Sequence, residues 1–246
     1  MDEPRFQLTR GDAVAWLRTL PNESIDLVVT DPPYESLEKH RAIGTTTRLK
    51  HSKASSNDWF EIFPNDRFAE LFAEIYRVMK KNTHFYLYCD PETMFFAKPV
   101  AEAAGFKFWK QIIWDKVSIG MGYHYRARYE CILFFEKGKR KLNDLGIADI
   151  ISVPRVRGGY PAEKPPQVTE VLIKQSTVPG ELVIDPFMGS GSSGVAAAAL
   201  GRQFLGNDLC AEAIDITRRR LNELGAKEPL LDRPTAEPQP QLGLSM

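Results

Sequence analysis

The sequence predicts an α/β fold built on a mainly parallel sheet, and three observations carry that expectation. Short apolar runs alternate with longer segments whose apolar residues recur at spacings of three and four, the pattern of strands interleaved with amphipathic helices. Two of the apolar runs end abruptly in unusual turns, TDPPY at 30–34 and DPFMGSG at 185–191. Two others, 106–116 and 129–137, follow one another with no helical segment between them, which predicts one antiparallel hairpin at a sheet edge.

Gly11-Asp12 leads into the helix-like AVAWLRTL, and IDLVVT (25–30) reads as a buried strand ending at Asp31. Residues 35–60 read as a long exposed loop. Between Lys39 and Lys53 they hold Lys39, Arg41, Arg48, Lys50, Lys53 and two histidines, with no acid. Loops of that length usually bind something or stay disordered. Phe68, Leu71, Phe72, Ile75, Tyr76 and Met79 predict a helix from Asn65-Asp66 to about Lys80. HFYLYC (84–89) is the next strand, followed by a helix over roughly 92–104 that stops at Gly105. The two hairpin strands enclose a loop with Gly120, Gly122, Tyr123, His124 and Tyr125, and residues 138–163 read as irregular. A helix over about 166–177, a strand at 180–187, a helix at 192–200, a strand at 203–208 and a helix to about Leu224 complete the pattern. Residues 1–228 are expected to form one domain. The tail 229–246, with Pro229, Pro234, Pro238 and Pro240, is expected to be flexible.

Composition narrows the function classes. The 246 residues carry 32 Lys plus Arg against 32 Asp plus Glu, which excludes nucleic-acid binding by bulk charge alone and leaves local patches open. No apolar run reaches the roughly 18 residues of a membrane span, and the start MDEPRFQLTR carries no signal-peptide core. Cys89, Cys131 and Cys210 are scattered and odd in number, which fits free thiols in a reducing cytoplasm better than disulfides or a metal site.

The chemistry resides in the two turns. At the second, Gly189-x-Gly191-x-x-Gly194 follows a strand ending in Asp185 and opens an alanine-rich helix. Glycines let backbone approach a ligand, with the helix N-terminus pointing at it. Asp208, at the end of the next strand, stands where an acid accepts ribose hydroxyls. A pyrophosphate would meet Asp185 unfavourably, which argues against a nicotinamide dinucleotide. S-adenosylmethionine instead brings a sulfonium and an ammonium that a carboxylate attracts. Phe187 either stacks on the cofactor's adenine or packs in the core.

At the first turn, Pro32 and Pro33 stiffen the backbone after Asp31 and remove two N–H donors. What remains is a carboxylate and carbonyls, suited to a ligand that only donates. The exocyclic amine of adenine or cytosine is such a ligand, with its hydrogens accepted by Asp31 and the Pro32 carbonyl and a flat face offered by Tyr34.

TDPPY together with DPFMGSG resembles the DNA amino-methyltransferases that modify adenine N6 or cytosine N4 with S-adenosylmethionine. The catalytic turn precedes the cofactor loop, a permuted order similar to the β-class. The resemblance runs from about Gly11 to Leu224. It implies a Rossmann-like, doubly wound sheet of about seven strands, with Asp31, Pro32, Pro33 and Tyr34 catalytic. Asp185, Phe187, Gly189, Ser190, Gly191 and Asp208 then form the cofactor site. By the same resemblance, Asp12 contacts the cofactor's adenine amine and Lys164, in a K-P element, lies near its methionine end. Ser192 stands where the family commonly has Thr, and 138–163 is short for a target-recognition region.

The implied reaction is transfer of a methyl group to a base flipped out of double-stranded DNA. Adenine is favoured because the turn begins with Asp, where cytosine-N4 members more often have Ser. Lys137–Lys141 and the 39–53 cluster are expected to contact phosphates. The resemblance also admits a homodimer, a cognate restriction endonuclease, or a non-catalytic DNA-binding partner that keeps the fold.

Overall fold

The computed structural model describes residues 4–35, 61–120, 125–156 and 163–228. The 39–53 basic cluster, residues 121–124 of the hairpin loop, 157–162 and the Pro-rich tail lie outside the described residues.

In chain order the elements are β1 (Phe6–Arg10), α1 (Ala13–Arg18), β2 (Ile25–Thr30), α2 (Phe68–Val78), β3 (Met79–Cys89), α3 (Pro91–Ala103), β4 (Lys107–Asp115), β5 (Tyr129–Lys137), β6 (Ile150–Ser152), α4 (Pro166–Ser176), β7 (Leu182–Asp185), α5 (Ser192–Ala199), β8 (Gln203–Asp208) and α6 (Ala211–Glu223). The strands form one eight-stranded sheet in the order β1-β8-β7-β2-β3-β5-β4-β6. β5 alone runs against its neighbours, pairing antiparallel with both β3 and β4.

Alternating residues of each central strand feed two separate cores. Val28, Phe85, Leu133, Ile184 and Leu205 pack on one face with α1, α2 and α3. Leu27, Val29, Tyr86, Ile132, Val183 and Phe204 pack on the other with α4, α5 and α6. A strand covered on both faces reads as a near-continuous apolar run, as Leu27–Val29 of IDLVVT do, because both sets of side chains leave water.

The sheet differs from expectation in two places. It has eight strands where about seven were anticipated, since β1 and β6 are only five and three residues long and bury few side chains. The β4–β5 hairpin is present but not at the edge, because β6 pairs parallel with β4 outside it.

Within the Lys137–Lys141 run, Lys139 and Lys141 are exposed, whereas Lys137 and Arg140 are engaged within the protein and need correction as phosphate contacts. Lys137 is buried, and its ammonium donates to the carbonyls of Tyr76 (2.7 Å) and Met79 (2.6 Å). These lie at the C-terminal end of α2, where carbonyls lack partners within the helix. Arg140 is committed to Glu181 at 3.0 Å. Among the described residues no helix is long and apolar enough to cross a membrane.

Candidate active site

β2 and β7 are parallel neighbours, with Leu27 opposite Val183 and Val28 opposite Ile184. Their C-terminal ends therefore bring the two turns together, at the edge where doubly wound sheets bind ligands. The Thr30 hydroxyl donates to Asp185 Oδ1 at 2.7 Å. The same oxygen accepts from the Phe187 N–H at 3.0 Å, while Oδ2 accepts from the Ser193 hydroxyl at 2.6 Å. Asp185, read from sequence as facing a cationic ligand, is thus buried and braces the turn with three donors. Burial nonetheless prevails over those donors and pushes its carboxyl up to about 7.

Asp31 lies one residue beyond β2, half-buried, with both oxygens engaged. The Tyr34 hydroxyl donates to Oδ1 and the Lys164 ammonium to Oδ2. Tyr34 is only 8% exposed, so stacking on a base would require its ring to turn outward. Burial and the neighbouring Asp31 raise its phenol well above the usual range. The Pro33 carbonyl accepts from the Phe63 N–H at 2.8 Å, anchoring the far side of the turn.

Lys164 connects this turn to the glycine loop, since its own carbonyl accepts from the Ser192 hydroxyl at 2.6 Å. Two residues with no sequence signal complete the cluster. Glu130, at the start of β5, lies 3.3 Å from the Lys164 ammonium and 2.5 Å from that of Lys116. Burial alone would raise the Glu130 carboxyl, but the two lysines hold it below its ordinary range. Burial disfavours the Lys164 ammonium, and Asp31 and Glu130 more than offset that, leaving its pKa raised. The β4–β5 register explains the meeting. It sets Glu130 opposite Trp114, and Lys116 follows directly after β4.

The glycine loop is shaped from below by α6 and from the side by β8. Gly191 has φ +79, and a Cβ there would fall 2.5 Å from Thr217 Oγ1, so only glycine suits the position. A Cβ on Gly194 would meet the Phe204 ring at 2.7 Å, which makes it a packing glycine between helix and strand. Ser190 is buried, and its carbonyl accepts from Arg220 at 2.7 Å. Asp208 accepts from the N–H groups of Gly189 (2.9 Å) and Cys210 (2.8 Å), with its carboxyl raised mainly by burial. Asn207 donates to the carbonyls of Gly11 (2.9 Å) and Pro186 (3.1 Å), tying β1 to the loop. Its Oδ1 is buried with no hydrogen-bond partner among the described residues.

Asp12 caps α1 through the Ala15 N–H at 2.9 Å and pairs with both terminal nitrogens of Arg67, at 2.8 and 3.1 Å. Arg67 also lies over the Phe63 ring (5.1 Å), and Phe63 meets Phe187 edge-on at 5.1 Å. Phe187 is therefore half-buried in an aromatic wall beside the loop. Sequence reasoning does not reach Arg67, Asn207, Glu130 and Lys116, because each acts through a long-range contact that no local motif announces. In the 116–128 loop, Arg128 is paired with Asp115 through two bonds (2.7 and 2.9 Å), and Tyr125 is fully exposed.

Comparison with known proteins gives the family and the fold. A family model described as "DNA methylase", of the N6/N4 methyltransferase type, matches residues 25–153 and 147–219. The chain is 29% identical to the DNA adenine methyltransferase YhdJ of Escherichia coli (strain K12), over 87% of this chain and 82% of that one. Its fold is similar to that of M1.HpyAVI solved as a complex with SAM (TM-score 0.66, 22% identity, covering 88% of this chain and 100% of that chain). It is also similar to the cytosine-N4-specific PvuII DNA methyltransferase (TM-score 0.69, 16% identity, 91% of each chain). The family match spans both turns and most of the chain around them, and the protein belongs to the N6/N4 DNA methylase family.

Proposed function

We propose that the protein transfers a methyl group from S-adenosylmethionine to the N6 amine of an adenine flipped out of double-stranded DNA. The observation that carries the reading is the Thr30–Asp185 bond, which joins a donor-seeking turn to a glycine loop at one sheet edge.

The residues present fit the cofactor. Asp208 flanks the loop as an acceptor for ribose hydroxyls, Asp12 would accept an adenine amine alongside its pairing with Arg67, and Phe187 with Phe63 offers an aromatic wall. The buried, unpartnered Asn207 Oδ1 is a further acceptor between Gly11 and Pro186. S-adenosylmethionine supplies an electrophilic methyl group on a positively charged sulfur. On this reading Ser190, Gly189 and Gly191 shape the loop, and Lys164 bridges it to the catalytic turn.

The chain's own contribution is chiefly positioning. An aromatic amine is a poor nucleophile, because its lone pair is delocalised into the ring. Asp31 and the Pro32 carbonyl accept its two hydrogens, turning the lone pair toward the methyl group. Pro33 keeps the turn rigid and Tyr34 orients the Asp31 carboxylate through its hydroxyl. Extruding the base costs a few kcal/mol, and the proton left after transfer is acidic enough to pass to water.

The name of the Escherichia coli relative and the Asp that opens the turn favour adenine over cytosine N4. The fold likeness to a cytosine-N4 enzyme keeps that target as the second reading. Incubation with S-adenosylmethionine and unmethylated genomic DNA, digestion to nucleosides and mass spectrometry tests both. N6-methyl-2′-deoxyadenosine supports the proposal, N4-methyl-2′-deoxycytidine replaces it, and the absence of both refutes both. Asp31→Ala is expected to abolish transfer while cofactor affinity by calorimetry stays near that of the wild type.

A further inference from the structure

Each Asp31 oxygen already accepts one donor in the protein as it stands, the Tyr34 hydroxyl on Oδ1 and the Lys164 ammonium on Oδ2. An amine accepted there competes with one of them for the same oxygen. Tyr34 is locked into the core beside Phe63 and Cys89. Lys164 has somewhere to go. Glu130 Oε2 is 3.3 Å from the same nitrogen, and Oε1 is held by Lys116 at 2.5 Å.

We propose that Glu130 is a positioning residue that receives the Lys164 ammonium when the target amine takes its place on Asp31. The inference rests on the amine-methylation reading above. Stripping a largely buried ammonium of its counter-ion is strongly unfavourable, so a lysine that simply withdrew would oppose substrate entry. A second carboxylate within reach converts withdrawal into a short shift between two acceptors. Lys116 fixes the receiving carboxylate in place. The four groups, two carboxylates and two ammoniums, remain neutral as a set, so the exchange moves no net charge into or out of the site. Until a donor arrives, Lys164 keeps Asp31 in its accepting orientation.

Glu130 acts only through Lys164, and that dependence is what a double-mutant cycle reads. With the full chain, S-adenosylmethionine and unmethylated duplex, Glu130→Gln is expected to lower kcat roughly 10-fold, the scale of one charged hydrogen bond. Cofactor affinity by calorimetry is expected to stay within about twofold. Glu130→Asp, which keeps the charge and withdraws it by one methylene, is expected to lose less. In a Lys164→Met background, adding Glu130→Gln is expected to cost nothing further.

Three results would overturn the inference: unchanged kcat in Glu130→Gln, equal losses in the Gln and Asp variants, or a full additional loss in the Lys164→Met background. Wild-type turnover on the same duplex separates this inference from its premise. No methylated amine removes the premise, whereas methylation with additive losses removes the exchange alone.

Discussion

Thr30 and Asp185, 155 positions apart in sequence, share a hydrogen bond of 2.7 Å in the protein interior. One ends the strand before the proline turn and the other ends the strand before the glycine loop. Thr30→Val keeps the shape and deletes the donor. Leaving a buried carboxyl short of one partner costs about 1–3 kcal/mol. Urea unfolding is expected to report a loss in that range, and a midpoint within error of the wild type would show that the bond does not brace the two turns.

Asp185 makes stability depend on pH in an unusual direction. Its carboxyl is raised to about 7 in the folded protein, whereas the unfolded chain has an ordinary value near ~3.9. Between these values the folded state holds a proton that the unfolded state has released, so this residue's contribution is complete below about pH 4 and is lost as pH rises through 7. Asp185→Asn removes that dependence. The difference in unfolding free energy between wild type and variant, measured at pH 5 and pH 7.5, is expected to shift against the wild type at the higher pH. A constant difference would contradict the raised value.

Asp208 holds the glycine loop through the Gly189 N–H, and on the proposed reading it also accepts from a bound ribose. Asp208→Asn keeps one acceptor for the Gly189 N–H but gives up a charge. Cofactor affinity by calorimetry is expected to fall about 10- to 100-fold, in line with one or two charge-assisted bonds at ~1.5 kcal/mol each. An unchanged affinity would remove Asp208 from the cofactor site.

The basic cluster between Lys39 and Lys53 carries five cationic side chains. Replacing Lys39, Arg41, Arg48, Lys50 and Lys53 with Ser is expected to flatten the salt dependence of duplex binding. For every phosphate that the variant no longer neutralises, the slope of log affinity against log salt is expected to fall by about 0.9. A slope equal to that of the wild type would exclude the cluster from the DNA interface.

Much of the sheet is legible in the sequence because both of its faces are covered, which makes the central strands continuously apolar. β1 and β6 are not, for the opposite reason. They lie at the two edges, and β1 buries only Phe6 and Leu8 while β6 buries only Ile151. Lys137 misleads because a cationic run looks solvated until a helix end supplies carbonyls for it. The two turns are legible since Pro and Gly restrict backbone conformation locally. Glu130 and Lys116 are not, because their meeting depends on the hairpin register, which the intervening loop conceals. Asp185 stands at the turn the sequence indicates, yet its oxygens face Thr30 and Ser193, a preference set by tertiary packing.

The reversed direction of β5 has an architectural outcome. In an all-parallel sheet every strand would present its finishing end to the reaction centre, and each connection between strands would have to cross back over a face. Because β5 descends instead, β4 ends and β5 begins at the same rim as the proline and glycine turns, which is where Lys116 meets Glu130. A change in the connection between those two strand ends leaves the helix-bearing crossovers untouched, so that side of the rim can vary without rebuilding the scaffold beneath the two turns.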